Sequence, residues 1–500
     1  MESSVMAAAC LAVFGFGVTC ATTPFAGRVA YKHGFVAVPG GRRTHSEPTP
    51  LLGGLAVYVP FAVVFAAFVV SSATGFISIE QPSGSKILSL FVAATWVLIL
   101  GSLDDRKPLG WRKKLIGQTV GALILVFGGH TIAWATIPIF GLVDFGWAGP
   151  LLFVLAVIVL TNAINLIDGM DGLATGICFF ASLTSSIIGL AKGDLFTAAI
   201  GFTLSGSLLG FLLFNLPPAS MFLGDGGSMM LGFVLGTLAT SSAAISPGQR
   251  LGTAVMVLVP FLPFGIPVFE VVLSIFRRWI NGQAIFLGDG NHLHHRLVRK
   301  MKNHTLTLGI FYLFSAALCS LTLILVLDVN SPLLRAMAGI IVVLLFGGAV
   351  ASLTLYPLDR LFTTIKNRRH FKFLGSFLSF MKNRLTRAQS LDELIEVIQT
   401  GVRDLDFDYV EVVVNGKVMR RWDNPRPVHP DNRRIHCEET LDDLSLAIKW
   451  GRPLHDDDFY NEYLMLTWYR FIVEFRAKVR SQTGTVTCRH TAPNHIRSAG

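Results

Sequence analysis

The sequence predicts an all-α polytopic membrane protein with about eleven transmembrane helices and a C-terminal soluble α+β tail. The first observation is composition: the 500 residues are 52% hydrophobic and only 15% charged, with a mean hydropathy of +0.56. Soluble domains of this length are far less apolar. The second is charge distribution, because apolar runs dominate up to residue 356 whereas residues 357–500 are rich in charged side chains.

The transmembrane helices are placed by length, because a helix needs about 20 apolar residues to cross the hydrocarbon core. No Lys or Arg precedes the first apolar run, which predicts a retained first span and not a cleaved signal peptide. The six scattered cysteines form no C-x-x-C pair, which favours packing roles. The predicted spans lie near residues 5–26, 51–72, 87–103, 115–136, 148–165, 172–191, 195–214, 228–247, 251–273, 306–327 and 333–356.

Alternate loops between these spans differ in their Lys and Arg content. One set holds fifteen such residues and the other set holds four, namely Lys86, Lys192, Arg250 and Arg335. The positive-inside rule then predicts an external N-terminus and a cytoplasmic tail in the inner (plasma) membrane. Membrane orientation also accounts for the net charge of +10, so no nucleic-acid partner is expected.

Acidic and glycine-rich clusters all fall on the predicted cytoplasmic face. A charge at a helix centre costs about 2.5–3.5 kcal/mol, and the interface avoids that cost. Glycine-rich backbone at such a position is tolerated only where it lines a polar cavity or is covered by protein. The four clusters are "GSLDDRKPLGWRKK", "NLIDGMDG", "MFLGDGGS" and "FLGDGNHLHHRL".

The first two clusters each carry several polar side chains, which form either a functional site or an ordinary polar loop. Asp104 and Asp105 are adjacent carboxylates, which suit a metal or phosphate site, or a solvated turn balanced by neighbouring basic residues. In the second cluster, a spacing of three keeps the polar side chains mutually reachable on a helix, although a polar interhelical loop is the alternative. No Glu closes a twelve-residue loop there, which excludes an EF-hand. These residues are Asn162, Asn165, Asp168 and Asp171.

Of the remaining two clusters, "MFLGDGGS" offers a carboxylate and "FLGDGNHLHHRL" offers a group of cationic side chains. Asp225 lies between glycines before a span, where it is either a helix N-cap or a ligand of a hard cation such as Mg²⁺ or Mn²⁺. A histidine and arginine group suits phosphate, with zinc as the alternative. The cationic residues are His292, His294, His295 and Arg296, and a further group in "VPGGRRTHSEPTPLLGG" comprises Arg42, Arg43 and His45. This last group suits an anionic headgroup or simple membrane orientation.

Hard-cation carboxylates, phosphate-binding cations and glycine loops on one face indicate phosphoryl transfer involving a lipid. A transporter is the alternative of another class. It would place ionisable sites near the bilayer midplane in both halves of an internal repeat, and the sequence shows neither feature.

Four motifs in this order resemble the polyprenyl-phosphate N-acetylhexosamine-1-phosphate transferases (glycosyltransferase family 4), which include MraY. They are "LDDRKPLGWRKKLIGQ", "NAINLIDGMDGLATG", "FLGDGGS" and "HLHHRL". The last motif and "RRTHSEPTPLLGG" resemble the WecA-like branch. The resemblance covers residues 35–300 by motif and 1–356 by span count.

The resemblance implies transfer of N-acetylhexosamine-1-phosphate from a UDP-sugar to polyprenyl (undecaprenyl) phosphate, with release of UMP. It favours N-acetylglucosamine (GlcNAc) as the sugar and the first step of a cell-surface glycan such as lipopolysaccharide, exopolysaccharide or cell wall. Phospho-MurNAc-pentapeptide transfer is the alternative within the family, and a homodimer is left open.

By motif, the resemblance assigns Mg²⁺ binding to Asp225 and Asp168 and catalysis to Asp104, Asp105 and Asp168. It implies no role for Glu270, where relatives often have Asp. Substrate binding is implied for Asn162, Asn165, Asp171, Phe222, His292, His294, His295, Arg296, Arg43 and His45. Because a phosphate monoester has a second pKa near 6, the acceptor needs little help in losing its proton. We therefore predict that Asp104 and Asp105 act chiefly through metal and positioning.

The predicted boundaries are 1–356 for the transferase domain, 357–389 for a basic juxtamembrane helix, 390–480 for an α+β appendage and 481–500 for a disordered tail. Ser390 and Glu393 predict a helix-capping box, and Asn415-Gly416 predicts a β-hairpin. The appendage faintly resembles the start of a GAF-like sensory domain. A small docking or stabilising module is the alternative.

Overall fold

A computed structural model describes most of the N-terminal two thirds of the chain and parts of the tail. The described residues are 2–37, 48–74, 83–137, 141–243, 259–280, 297–298, 300–327, 368–390, 393, 396–397, 409–414, 417–423, 434–441, 446–453, 471 and 475. The chain divides into two compact units: Met1–Phe276 with Phe286–Leu355, and Arg277–Ile285 with Tyr356–Gly500.

The first unit is built mainly from helices. They are α1 (Glu2–His33), α2 (Gly53–Thr74), α3 (Gly84–Arg106), α4 (Trp111–Phe127), α5 (Gly149–Ile167), α6 (Leu173–Lys192), α7 (Leu195–Asn215), α8 (Gly224–Ala243), α9 (Gly265–Ile280) and α10 (His304–Val326). Short 3₁₀ helices cover Gly146–Ala148 and Val259–Phe264.

Seven helices in the described part of the chain are long and apolar enough to cross a membrane. They are Glu2–His33, Gly53–Ser71, Gly84–Arg106, Gly146–Ile167, Leu173–Lys192, Leu195–Asn215 and His304–Val326. This finding supports a polytopic membrane protein. The predicted span at 333–356 lies outside the described residues.

The fourth predicted span is wrong in its C-terminal part. It was expected over 115–136, but α4 ends at Phe127, where Gly128 and Gly129 follow and Gly129 has a φ of 97°. Glycine adopts this left-handed backbone without a steric penalty, which ends the helix. An antiparallel hairpin of β3 (Trp134–Ile137) and β4 (Gly141–Asp144) follows.

A second short strand pair lies beside α2, where β1 (Val36–Ala37) pairs antiparallel with β2 (Thr49–Pro50). The first unit is therefore mostly helical and not strictly all-α.

Helix α8 lies at the centre of the first unit, with α3 and α5 packed against it. Its side chains Met229, Met230, Leu231 and Phe233 are fully buried. Because protein surrounds α8, this helix needs no continuous lipid-facing apolar surface, and it tolerates Gly, Ser and Thr. The packing brings the last turn of α3 against the first turn of α8.

The contact between α3 and α8 depends on glycine at position 101. A methyl group there would lie 2.5 Å from the backbone oxygen of Asp225, which is closer than van der Waals contact permits. We expect Gly101→Ala to lower the free energy of unfolding by about 1–3 kcal/mol through overpacking. Thermal unfolding of the detergent-solubilised protein measures this effect.

Gly17→Ala is the matched control, because Gly17 lies inside α1 and a methyl group there would meet no atom within 4 Å. This change should leave stability unaltered or raise it by about 0.5–1 kcal/mol. Equal melting temperatures for the two variants would contradict the predicted close packing.

The second unit contains α11 (Arg368–Arg387) and a four-stranded antiparallel sheet of order β6-β5-β8-β7. The strands are β5 (Tyr409–Val414), β6 (Lys417–Asp423), β7 (Arg434–Leu441) and β8 (Leu446–Pro453). The predicted hairpin is confirmed, since β5 and β6 pair on either side of Asn415-Gly416.

The predicted capping interactions are also present in this unit. Ser390 Oγ accepts the backbone N–H of Glu393 at 3.2 Å, and Glu393 Oε2 accepts that of Gln389 at 2.6 Å. The second bond reaches one residue before the serine, which differs slightly from the usual capping box.

Candidate active site

A half-buried lysine lies between two of the predicted carboxylates. Lys114 Nζ in the first turn of α4 is 2.9 Å from Asp104 Oδ2 and 2.8 Å from Asp225 Oδ2. It also donates to Asn165 Oδ1 at 3.4 Å. Burial lowers the pKa of Lys114, but the charges of Asp225 and Asp104 outweigh burial and raise its pKa above the usual value. The lysine is therefore a fixed positive charge at neutral pH.

Asp105 holds the beginning of α8. Its Oδ1 and Oδ2 accept the backbone N–H groups of Asp225 and Gly226 at 3.0 and 3.1 Å. The first N–H groups of a helix have no partner within that helix, and here a carboxylate from another helix supplies one. Asp105 consequently fixes the backbone from which the Asp225 side chain projects.

Asn165 near the end of α5 completes the group of five residues that we call the acid–lysine cluster: Asp104, Asp105, Lys114, Asn165 and Asp225. The Nδ2 of Asn165 donates to Asp225 Oδ1 at 3.0 Å and to Ser228 Oγ at 2.9 Å. Asp104 Oδ1 accepts the Leu109 N–H at 2.6 Å, which ties the cluster to the loop before α4.

Asn162, one turn before Asn165, is engaged inside the protein. Its Nδ2 donates to Gln118 Oε1 at 2.7 Å and to the Ile158 carbonyl at 2.8 Å, and Gln118 Nε2 donates back to Asn162 Oδ1 at 3.3 Å. Gln118 is fully buried. This amide pair joins α4 to α5 one helical turn away from Lys114 and Asn165. A substrate contact by Asn162 stays a prediction.

The loop of residues 168–172, between α5 and α6, carries the other predicted aspartates and is called the Asp loop below. Asp168 is the C-cap residue that directly follows α5. Asp171 Oδ2 accepts the Ala219 N–H at 3.0 Å. Asn215 accepts the Gly172 N–H at 3.2 Å through Oδ1 and donates to the Met221 carbonyl at 2.8 Å. The Asp loop is therefore bonded to the segment that leads into the "FLGDGG" motif.

Phe222 is held through its backbone by the segment before α2. Its N–H donates to the Pro50 carbonyl at 2.9 Å, and its carbonyl accepts the Gly53 N–H at 3.0 Å. The Gly54 N–H donates to the Leu223 carbonyl at 2.8 Å. The segment that follows "RRTHSE" in the sequence thus lies directly against "FLGDGG".

Six predicted site residues lie outside the described residues, so their proximity to the acid–lysine cluster stays a prediction. They are Arg43, His45, His292, His294, His295 and Arg296. Within the described ranges, no group of three or more His, Cys, Asp or Glu side chains is arranged to hold a metal ion. Asp104 and Asp225 have Lys114 between them instead.

Residues 87–243 match the model of "Glycosyl transferase family 4". The chain is 30% identical over 292 residues to the "Probable undecaprenyl-phosphate N-acetylglucosaminyl 1-phosphate transferase" of Bacillus subtilis (strain 168), covering 58% of this chain and 77% of the relative. This chain belongs to glycosyl transferase family 4.

Two further relatives represent different named activities in the family. The "Decaprenyl-phosphate N-acetylglucosaminephosphotransferase" of Mycobacterium leprae (strain TN) is 34% identical over 318 residues, covering 59% of this chain and 78% of the relative. The "Phospho-N-acetylmuramoyl-pentapeptide-transferase" of Moorella thermoacetica is 31% identical over 277 residues, covering 51% and 79%.

The family-matched residues 87–243 contain every member of the acid–lysine cluster and the whole Asp loop. Sequence reasoning used Lys114 only as an orientation signal and did not single out Gln118, Asn215 or Ser228. One signal was available for α4: Lys114 and Gln118 are four residues apart, so they share a helix face. Lys114 directly precedes the predicted span 115–136 and Gln118 lies inside it, and polar residues on one helix face there indicate an interior position for that face.

Proposed function

We propose that this chain transfers GlcNAc-1-phosphate from UDP-GlcNAc to a polyprenyl phosphate, giving polyprenyl-diphosphate-GlcNAc and UMP. The observation that carries the proposal is the acid–lysine cluster, located within the family-matched residues at the meeting point of α3, α4, α5 and α8. The names of the Bacillus and Mycobacterium relatives supply the donor and acceptor classes.

The reaction joins two anions. An oxygen of the lipid phosphate forms a bond to the sugar-linked phosphorus, the bond from that phosphorus to the bridging oxygen breaks, and UMP leaves with the electron pair. Catalysis of phosphoryl transfer depends on positioning and on compensating charge. Lys114 supplies a fixed positive charge next to Asp225, and the basic "HLHHRL" segment is proposed to supply more.

We propose that the site binds Mg²⁺, which prefers oxygen ligands. The Asp104 and Asp225 carboxylates and the Ser228 hydroxyl offer such oxygens, and Asn165 orients Asp225 and Ser228 through its amide. We propose that Asp225, with Asp168, holds the ion. When bound, Mg²⁺ neutralises negative charge on the diphosphate.

The same site is proposed to face the cytoplasm, with the N-terminus outside, because the basic loops lie on the side of the acidic motifs. Transfer of phospho-MurNAc-pentapeptide is the second candidate, since a relative with that name aligns with 51% of this chain. We rank it second because the GlcNAc-named relatives cover 58–59%.

The test is a product assay on the purified full chain with undecaprenyl phosphate. UDP-GlcNAc, UDP-GalNAc and UDP-MurNAc-pentapeptide are supplied separately, and UMP release and the mass of the lipid product are measured with Mg²⁺ and with EDTA. We expect UMP and lipid-diphosphate-GlcNAc from UDP-GlcNAc, with loss of turnover in EDTA. Product only from the MurNAc donor would support the second candidate, and no UMP from any donor would contradict both.

A further inference from the structure

A tyrosine outside the family-matched residues contacts the Asp loop. Tyr312 lies in α10, and its hydroxyl donates to the Gly172 carbonyl at 2.7 Å. Its ring packs edge-to-face on Phe180, with 5.9 Å between the ring centroids. The ring also occupies the space next to Gly176, where any side chain would collide with it. Tyr312 thus contacts the end of the Asp loop and the first turns of α6.

Gly172 is the residue through which this contact acts on the Asp loop. It is buried and has a φ of 75°, a left-handed conformation that favours glycine. Its N–H donates to Asn215 and its carbonyl accepts from Tyr312. The carbonyl also accepts the Gly176 N–H at 2.9 Å within α6, so the described donors to this carbonyl are one backbone group of α6 and the Tyr312 hydroxyl of α10.

The position of Gly172 determines where the aspartates of the loop lie. Asp171 immediately precedes it, and Asp168 is four residues upstream at the end of α5. The hydroxyl of Tyr312 is its polar contact with the Asp loop, because the ring itself packs on Phe180 and lies against the backbone at Gly176. Loss of the hydroxyl would leave the Gly176 N–H, at 2.9 Å, as the described donor to the Gly172 carbonyl and would remove the bond that joins this carbonyl to α10.

We propose that Tyr312 is a positioning residue for the transferase reaction, and that its hydroxyl fixes the Asp loop through Gly172. This inference rests on the proposed function, because it needs Asp168 and Asp171 to act on the UDP-sugar or its metal. It extends the functional part of the chain beyond residues 87–243 into the helix that follows "HLHHRL".

The test compares Tyr312→Phe with Tyr58→Phe in the full-length protein. Tyr58 in α2 is also partly buried, and its hydroxyl bonds Thr95 Oγ1 at 2.5 Å, with no contact to the Asp loop among its described partners. Each variant loses one hydroxyl from a partly buried hydrogen bond between distant segments of the chain. Michaelis constants for UDP-GlcNAc and polyprenyl phosphate, kcat and the melting temperature are measured for both variants.

We expect Tyr312→Phe to lower kcat/KM for UDP-GlcNAc about tenfold, chiefly through a higher KM for the donor, because a small displacement of binding groups is costly. Tyr58→Phe should remain within about twofold of the wild type. Melting temperatures of the two variants should be similar.

Three outcomes separate the possible errors. If the wild type forms no lipid product, the proposed function fails. If the wild type is active and both variants have equal kinetics, the positioning role of Tyr312 fails. A lower kcat at unchanged KM, together with a lower melting temperature for Tyr312→Phe alone, would also overturn it, because that pattern indicates only a smaller folded fraction.

Discussion

Replacing Lys114 with methionine is expected to lower kcat/KM by about two to three orders of magnitude. Methionine keeps the length and apolar stem of the side chain but removes the charge between Asp104 and Asp225. The two carboxylates would then repel each other across the same space. Because Asp225 is 34% exposed, solvent lowers the cost below the roughly 3–5 kcal/mol of a fully buried ion pair. Asp225 would move or take up a proton, and either change alters its contact with Asn165.

Lys113→Met is the control for this experiment. Lys113 is the preceding residue, it is exposed, and the substitution makes the same change in net charge and helix composition. For both variants, kcat/KM for UDP-GlcNAc is obtained from UMP release at saturating polyprenyl phosphate, and the melting temperature checks folding. Equal activities would show that the contribution of Lys114 is general membrane electrostatics and not its place between the two carboxylates.

The parts of the structure that sequence reasoning predicted well depend on local signals. The break between the predicted spans 148–165 and 172–191 was expected from "NLIDGMDG", and the structure ends α5 at Ile167 and begins α6 at Leu173. Asn415-Gly416 likewise predicted the turn between β5 and β6. In both cases residues adjacent in the chain determine the backbone, so short windows of sequence contain the information.

The features that sequence reasoning missed depend on contacts between distant segments. Asp105 and the N–H of Asp225 are 120 residues apart in the chain, and Lys114 meets Asp225 across 111 residues. In the sequence alone, a basic residue near the end of a span is explained by membrane orientation as well as by a role in the site. The helix face that Lys114 shares with Gln118 is the one local signal that separates it from Lys113, and the packing of α3, α4 and α8 is what shows that Lys114 meets both carboxylates.

The end of α4 shows a different limit of prediction from sequence. Residues 128–136 are sufficiently apolar to continue a span, so hydropathy favoured a helix to residue 136. Gly128 and Gly129 ended it earlier, and the apolar residues that follow pair as a hairpin. Hydropathy measures the preference for a nonpolar environment, which strands and helices share, and it does not determine backbone conformation.

The second large effect is expected for Asp105→Asn, which should lower kcat/KM about 100-fold and reduce stability. Asparagine has one acceptor oxygen, whereas Asp105 accepts two N–H groups from the start of α8. The amide NH₂ would face an N–H donor, so one bond is lost and one unfavourable contact is added. A hydrogen bond to a charged group contributes about 1.5–3 kcal/mol, and the displaced Asp225 backbone accounts for the loss of activity.

Asp194→Asn is the matched control, since Asp194 also caps a helix. It accepts the Thr197 N–H at 3.0 Å and the Thr197 hydroxyl at 2.6 Å at the start of α7. Asparagine is a good N-cap for its own helix, so we expect little change in activity. The comparison separates a general effect of removing a capping carboxylate from an effect on the site.

The dependence of the rate on pH and Mg²⁺ distinguishes positioning from general-base catalysis by Asp105. A misplaced Asp225 should weaken the response to Mg²⁺, and higher pH should not restore the rate. The acceptor phosphate is already mostly dianionic near pH 7, because its second pKa is about 6, so little depends on a protein base. If raising the pH restores full activity to Asp105→Asn and the Mg²⁺ dependence is unchanged, Asp105 removes a proton from the substrate and the positioning role is wrong.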